Sequence, residues 1–156
     1  MVFLEDWYVP LLVAHLLVTF VLVGSMMHNL LCVVGYLRGK FHKEKLELFY
    51  AGVSLWAYAA VYLLGSLIYP AFRVRIRHDY LDPNLPWATG VFEVKEHWGA
   101  LGLALFFAYY LLRRSFKPSE EKEKLYLYVP LCLLLNAIVW YKVVIGCWLT
   151  SLKGSW

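Results

Sequence analysis

The sequence predicts an all-α integral membrane protein, one domain over residues 1–156 built as a bundle of four transmembrane helices. The first observation is composition: the chain is 62% hydrophobic and has a mean hydropathy of +0.59. Soluble domains are usually about 45–50% apolar, so a chain this short carries more apolar surface than it can bury in water. The second observation is a set of uncharged runs that are long enough to cross a bilayer.

Three of the four predicted helices follow directly from these runs. Residues 8–37 and 48–72 contain no Asp, Glu, Lys or Arg, and residues 125–152 contain only Lys142. A hydrocarbon core about 30 Å thick needs about 20 residues of helix. We therefore predict helices over 8–37, 48–72 and 125–150.

The remaining predicted helix carries charges. The uncharged run 98–112 is too short to span a bilayer comfortably. Pro86 suits the first position of a helix, which predicts a helix over 86–112. This helix draws four ionisable residues into the membrane: Glu93, Lys95, Glu96 and His97.

Basic residues are unevenly distributed between the two sides of the predicted bundle. Loops 38–45 and 113–124 hold four and five Lys or Arg, which makes nine on one side. The other side holds four, namely Arg73, Arg75, Arg77 and Lys153. Because cytoplasmic loops are enriched in Lys and Arg, we predict that both termini are outside. We expect the cytoplasmic membrane of a bacterium or an archaeon.

The outer connection between the second and third helices covers residues 73–85. It begins with alternating basic and apolar residues, a pattern typical of extended backbone. We therefore predict a short extended segment that lies on the membrane surface.

Five ionisable residues are predicted to lie in the outer half of the bilayer. Counting about 1.5 Å per residue along each helix gives this depth to His15, Glu93, Glu96, His97 and Lys142. Glu93, Glu96 and His97 have i, i+3, i+4 spacing and share one helix face. Such groups cost several kcal/mol unless they pair, coordinate a ligand or line a wet cavity, so we predict a shared site.

The leading candidate ligand of this site is b-type haem. His15 and His97 would be its axial ligands from different helices. Its propionates would be balanced by basic residues, namely Arg73, Arg75, Arg77 and Lys142. Gly99 and Gly102 could admit a flat cofactor or could permit close helix packing. This plan resembles the small haem-bearing membrane anchors of respiratory complexes, in architecture and not in any motif.

A second haem is not predicted. His28 lies 13 residues after His15, which places it about 140° away around the helix. We therefore expect His28 to pack or to form a hydrogen bond. The cysteines Cys32, Cys132 and Cys147 belong to no CxxC motif and are expected to be small buried residues.

Three alternatives to haem remain open, namely a cofactor-free network, a quinone site, and an iron or manganese site. In a cofactor-free network, His15 would form a hydrogen bond across helices and Glu96 would pair with Lys142. In an iron or manganese site, the ligands would be His15, Glu93, Glu96 and His97. The paired Glu-x-x-His pattern of di-iron bundles is not present.

The resulting functional prediction is electron transfer within a respiratory complex, by a subunit that is not a stand-alone enzyme. It would exchange electrons with quinone and with a membrane or outer-face partner protein. Glu93 and Glu96 would relay protons, and Lys142 would balance charge. The alternatives are a structural or assembly subunit and a small proton-coupled transporter that uses these three residues. No groove-reading basic helix suggests a nucleic-acid partner.

Overall fold

The computed structural model describes residues 3–152, which form four long helices and no strand. We number the helices α1 (Tyr8–Leu37), α2 (Glu44–Phe72), α3 (Pro86–Arg114) and α4 (Leu125–Ser151). Short helical turns occur at Glu5–Trp7, Asp82–Asn84 and Lys122–Lys124. The predicted all-helical fold is confirmed. Lys153, which contributed to the charge comparison, lies outside the described residues.

Three helices are long and apolar enough to cross a membrane. With their flanking turns they cover Glu5–Leu37, Glu44–Asn84 and Lys122–Ser151. Helix α3 has 29 residues, but charged residues near both of its ends leave it a shorter apolar stretch. Many large apolar side chains point outward, and Trp56, for example, is 73% exposed. Such a surface suits contact with lipid.

The helices pack in the order in which they occur in the chain. α1 contacts α2, α2 contacts α3, α3 contacts α4, and α4 returns to α1. The main core lies between them and includes Met26, Val33, Phe106, Tyr128 and Leu135. A smaller apolar cluster lies at the end of the bundle that holds the 73–81 connection.

The prediction of an extended segment after the second helix is wrong. Arg73–Leu81 continues α2 as a π-helix of nine residues. Ile76 and Leu81 are five positions apart, which equals the i→i+5 hydrogen-bond step of a π-helix. Their side chains are only 2% and 1% exposed. Burial of both side chains against Phe92 and Leu149 favours this helix. The alternation of residues 73–77 was too short to identify a strand.

Candidate functional site

A polar groove lies between α2 and α3 near the 73–81 connection. Its volume is about 630 Å³. Helix α3 contributes the face that the sequence identified, with Glu93, Glu96, His97 and Ala100. The remaining walls hold aromatic, hydroxyl and guanidinium groups, from Tyr62, Ser66, Tyr69, Arg77 and Phe92.

Both carboxylates of the groove are ion-paired. Arg77 Nη2 donates to Glu93 Oε1, and its Nε lies 3.8 Å from Asp82 Oδ1. Lys95 Nζ donates to Glu96 Oε1 at 3.0 Å. Of the three arginines considered as propionate partners, Arg77 therefore lines the groove. Arg75 instead pairs with Glu5, and Arg73 is exposed.

The imidazole of His97 is held in one orientation by its own helix. Its Nδ1 lies 2.7 Å from the carbonyl oxygen of Glu93. Because a carbonyl oxygen can only accept, Nδ1 carries the hydrogen. In the neutral ring Nε2 then has a free lone pair, and the side chain is exposed. His97 can therefore accept a proton or a hydrogen bond, or ligate a metal, through Nε2.

His15 belongs to α1, packs against α2 beside the groove, and does not line the groove itself. Its imidazole packs on Gly65, with Cε1 3.4 Å from the position that a Cβ would occupy there. Tyr62 of the groove is three residues from Gly65, about 60° away around the helix. His15 Nδ1 is buried and has no hydrogen-bond partner within residues 3–152.

The predicted pair between Glu96 and Lys142 is wrong. Glu96 pairs with Lys95, because the Lys142 ammonium extends to the backbone of α3. Its Nζ lies 2.9 Å from the position of a Cβ at Gly99 and 5.7 Å from the centre of the Tyr58 ring. Among the described residues, Lys142 has no carboxylate oxygen within 4.0 Å. It is a half-buried cation inside the bundle.

Gly99 and Gly102 make room for side chains of α2. A Cβ at Gly99 would lie 3.3 Å from Tyr62 Cε2, and one at Gly102 would overlap the Tyr58 hydroxyl. That hydroxyl donates to Gly99 O at 3.1 Å. The contacts support the packing explanation for these glycines, since tyrosine and lysine side chains fill the space that a flat cofactor would need.

A second polar cluster, which we call the inner network, was missed by the sequence analysis. It centres on Glu47, which is 0% exposed. The carboxylate accepts hydrogen bonds from Arg113 Nε and the Tyr128 hydroxyl. It also accepts from the Tyr36 hydroxyl at 3.2 Å and from Asn29 Nδ2 at 3.0 Å. These donors come from α1, α3 and α4, so the network joins all four helices.

Further hydrogen bonds extend the inner network in both directions. Arg113 also donates to the carbonyl oxygens of Phe116 at 3.1 Å and Glu44 at 3.0 Å. Tyr109 donates to Asn29 Oδ1 at 2.6 Å. Asn136 Nδ2 donates to Cys132 O at 2.9 Å, while Asn136 Oδ1 is buried without a partner in the described part of the chain.

The remaining histidine and cysteine predictions have mixed outcomes. His28 Nδ1 bonds to Gly24 O at 2.7 Å, in agreement with a hydrogen-bonding role. Cys32 and Cys132 are buried as predicted, but Cys147 is exposed, and that prediction is wrong. Cys147 lies on the outer surface of α4, where a small apolar residue can also contact lipid.

No group of three or more His, Cys, Asp or Glu within residues 3–152 is arranged to hold a metal ion. The alternative iron or manganese site is therefore not assembled, because Glu93 and Glu96 face basic partners and His15 lies outside the groove. No protein family, curated protein or solved structure matches the chain.

Proposed function

We propose that the chain is a membrane protein of four spans with both termini outside. The ion pairs of Glu93 and Glu96 support a membrane position for α3, because pairing offsets much of the cost of burying charge. Trp7, Trp87 and Trp148 are exposed at one end of the bundle. Tryptophans at one level are typical of a membrane interface. The basic loops lie at the opposite end, which makes that end cytoplasmic.

We propose that the groove between α2 and α3 binds a quinone and that the protein is an electron-transfer subunit. The observation that carries this proposal is the exposed Nε2 of His97 beside two carboxylates and two tyrosines in an open, part-aromatic groove. A quinone head group has two carbonyl oxygens that need hydrogen-bond partners. Its isoprenoid tail can leave such a groove into the lipid.

The groove residues match the proton chemistry of a quinol. Oxidation of the quinol releases two electrons and two protons from its hydroxyl groups. Nε2 of His97 can accept one proton directly. The carboxylate of Glu96, which lines the same groove, can accept the second proton. The electrons would pass to a redox centre of a partner protein.

A b-type haem is a further part of the proposal, and the residues fit it in part. His97 would be one of the residues that hold it, because its Nδ1 is fixed by a carbonyl oxygen and its Nε2 is free to bind iron. His15 offers a buried nitrogen without a partner in residues 3–152. His15, however, packs on Gly65 of α2 and does not line the groove that His97 lines. Haem would supply one-electron transfer when bound, and quinone binding does not depend on it.

Quinone titration of the detergent-solubilised full chain tests the proposal. We expect saturable quenching of tryptophan fluorescence by a short-chain ubiquinone or menaquinone analogue, and at least tenfold weaker binding in His97→Leu. His28→Leu is a matched control, because His28 bonds to its own helix with the same i−4 geometry. Absorption spectra before and after dithionite reduction report haem in the same sample.

Unsaturable quenching in the wild-type protein would refute quinone binding. If His97→Leu and the wild type bound the quinone with equal affinity, His97 would not be part of the binding site. If haem is present, His15→Ala and His97→Ala should each change its low-spin spectrum. Retention of that spectrum in both variants would assign the ligands elsewhere.

A second candidate function is proton-coupled transport, supported by Lys142. A half-buried ammonium without a carboxylate partner among the described residues is costly in a membrane and is a suitable carrier of a proton. Purified protein in liposomes would then show proton flux that Lys142→Met abolishes and that the control Lys117→Met, at an exposed site outside both grooves, retains. The absence of proton flux would refute the transport function, and electron transfer would be the one remaining proposal.

A further inference from the structure

A second groove runs along the outward surface of α2, at the end of the bundle opposite the polar groove between α2 and α3. Its volume is about 700 Å³. Residues of α2 at helical spacing form its floor: Lys45, Leu48, Phe49, Gly52, Val53, Trp56 and Ala57. Val18 and Val21 of α1 form one wall, and Tyr110 of α3 forms the other. Apart from Lys45 and the tyrosine hydroxyl, the side chains are apolar.

The length of this groove matches one leaflet of a bilayer. Lys45 and Trp56 are eleven positions apart on α2, which corresponds to about 16 Å of helix. Half of a hydrocarbon core about 30 Å thick is about 15 Å. The groove therefore extends from the membrane interface at Lys45 to near the bilayer centre at Trp56.

The end of the groove at Lys45 is positively charged. Arg38, Lys40 and Lys43 of the adjoining loop are exposed there, as is Lys45 itself. Of the two neighbouring acids on α2, only Glu47 is neutralised by a cation, so the four basic residues outnumber the one remaining acid, Glu44. Glu44 Oε1 accepts a hydrogen bond from Ser119 N at 2.7 Å, and Glu47 is paired with Arg113.

We propose that this groove binds an anionic phospholipid, with one acyl chain along α2 and the phosphate at Lys45. The apolar floor accommodates the chain, and the charge at the interface selects the head group. Basic residues next to a membrane attract anionic lipids by about 1 kcal/mol each, which is about fivefold in affinity. The inference needs the membrane position proposed above but does not depend on quinone binding.

Native mass spectrometry of the full chain released from detergent micelles tests this inference. The probes are dioleoyl phosphatidylglycerol and dioleoyl phosphatidylcholine, which have identical chains. We expect preferential retention of phosphatidylglycerol. Lys45→Gln should reduce that preference about fivefold, whereas the control Lys117→Gln, in the other basic loop, should leave it unchanged. Glycerol phosphate, which has no chain, should not compete.

Two further variants test the path of the acyl chain. Val21→Trp fills the groove from α1, and Val53→Trp fills it from α2. Each should reduce retention of both lipids, and agreement between them guards against a folding defect in one. Equal retention of the two lipids by the wild type would overturn the inference. So would unchanged retention in both tryptophan variants, or competition by glycerol phosphate, which would indicate a phosphate site without a lipid chain.

Discussion

Removal of the Arg113 guanidinium should be among the most destabilising single changes in this protein. Arg113 and Glu47 form the ion pair of the inner network, and their side chains are 5% and 0% exposed. Arg113→Met replaces the arginine with an unbranched apolar side chain and leaves the buried Glu47 carboxylate without its cation. The carboxylate would retain only neutral donors, from Asn29, Tyr36 and Tyr128.

The expected magnitude follows from the burial of the pair. Removing one partner of a buried ion pair costs about 3–5 kcal/mol. The three neutral donors place this case toward the lower end, since each hydrogen bond to a charged group contributes about 1.5–3 kcal/mol. With about 2–4 °C per kcal/mol for a chain of this size, the melting temperature in detergent should fall by at least about 6 °C.

A double-mutant cycle measures the interaction free energy between Glu47 and Arg113 apart from their other contacts. Glu47→Gln alone leaves Arg113 with the carbonyl oxygens of Phe116 and Glu44 and should also destabilise the protein. The combination of Glu47→Gln with Arg113→Met should recover about 2 kcal/mol or more relative to additivity. The control is Lys117→Met, which breaks an exposed pair with Glu120 and should not shift the melting temperature. Additive effects of the two inner substitutions would refute the reasoning.

Three other predictions concern packing, pairing and orientation. Gly102→Ala should cost about 1–3 kcal/mol through overpacking, whereas Gly90→Ala, with no atom within 4 Å of the new Cβ, should not lower the melting temperature. Glu96→Gln and Lys142→Met should show a coupling below about 1 kcal/mol in a thermal-melting cycle, because Glu96 pairs elsewhere; a larger value would restore the direct pair. A single cysteine introduced at position 42 should react with impermeant reagents only from the cytoplasmic side, and labelling from outside would reverse the proposed orientation.

The helices could be located from the sequence because the length of an uncharged run indicates how much helix lipid can surround. The run does not indicate how each helix is rotated about its axis. Glu47 stands one residue before the run 48–72 and was not included in the predicted helix. Its spacing to Ala51, Ser54 and Tyr58, all buried, follows one helix face and was the available signal for a buried acid. Arg113 was likewise placed in a loop.

Predictions about the polar residues of α3 succeeded where they depended on one helix and failed where they depended on two. The shared face of Glu93, Glu96 and His97 depends on spacing within one helix, and the three residues line one groove. The proposed contact of Glu96 with Lys142 depended on two helices and on equal depth. Depth alone does not bring two side chains together, and Lys95 was the nearer cation for Glu96. The π-helix at Arg73–Leu81 had no clear signal, since its period is rare.

The inner network has a consequence for the order of biosynthesis. The ribosome completes α1 and α2 before it makes the helix that carries Arg113. Of the side chains that donate to the Glu47 carboxylate in the finished network, only Asn29 and Tyr36 of α1 are present during that interval. Because a carboxylate without its cation is costly to bury, we expect the Glu47 carboxyl to stay hydrated or protonated until α3 supplies Arg113 and completes the ion pair.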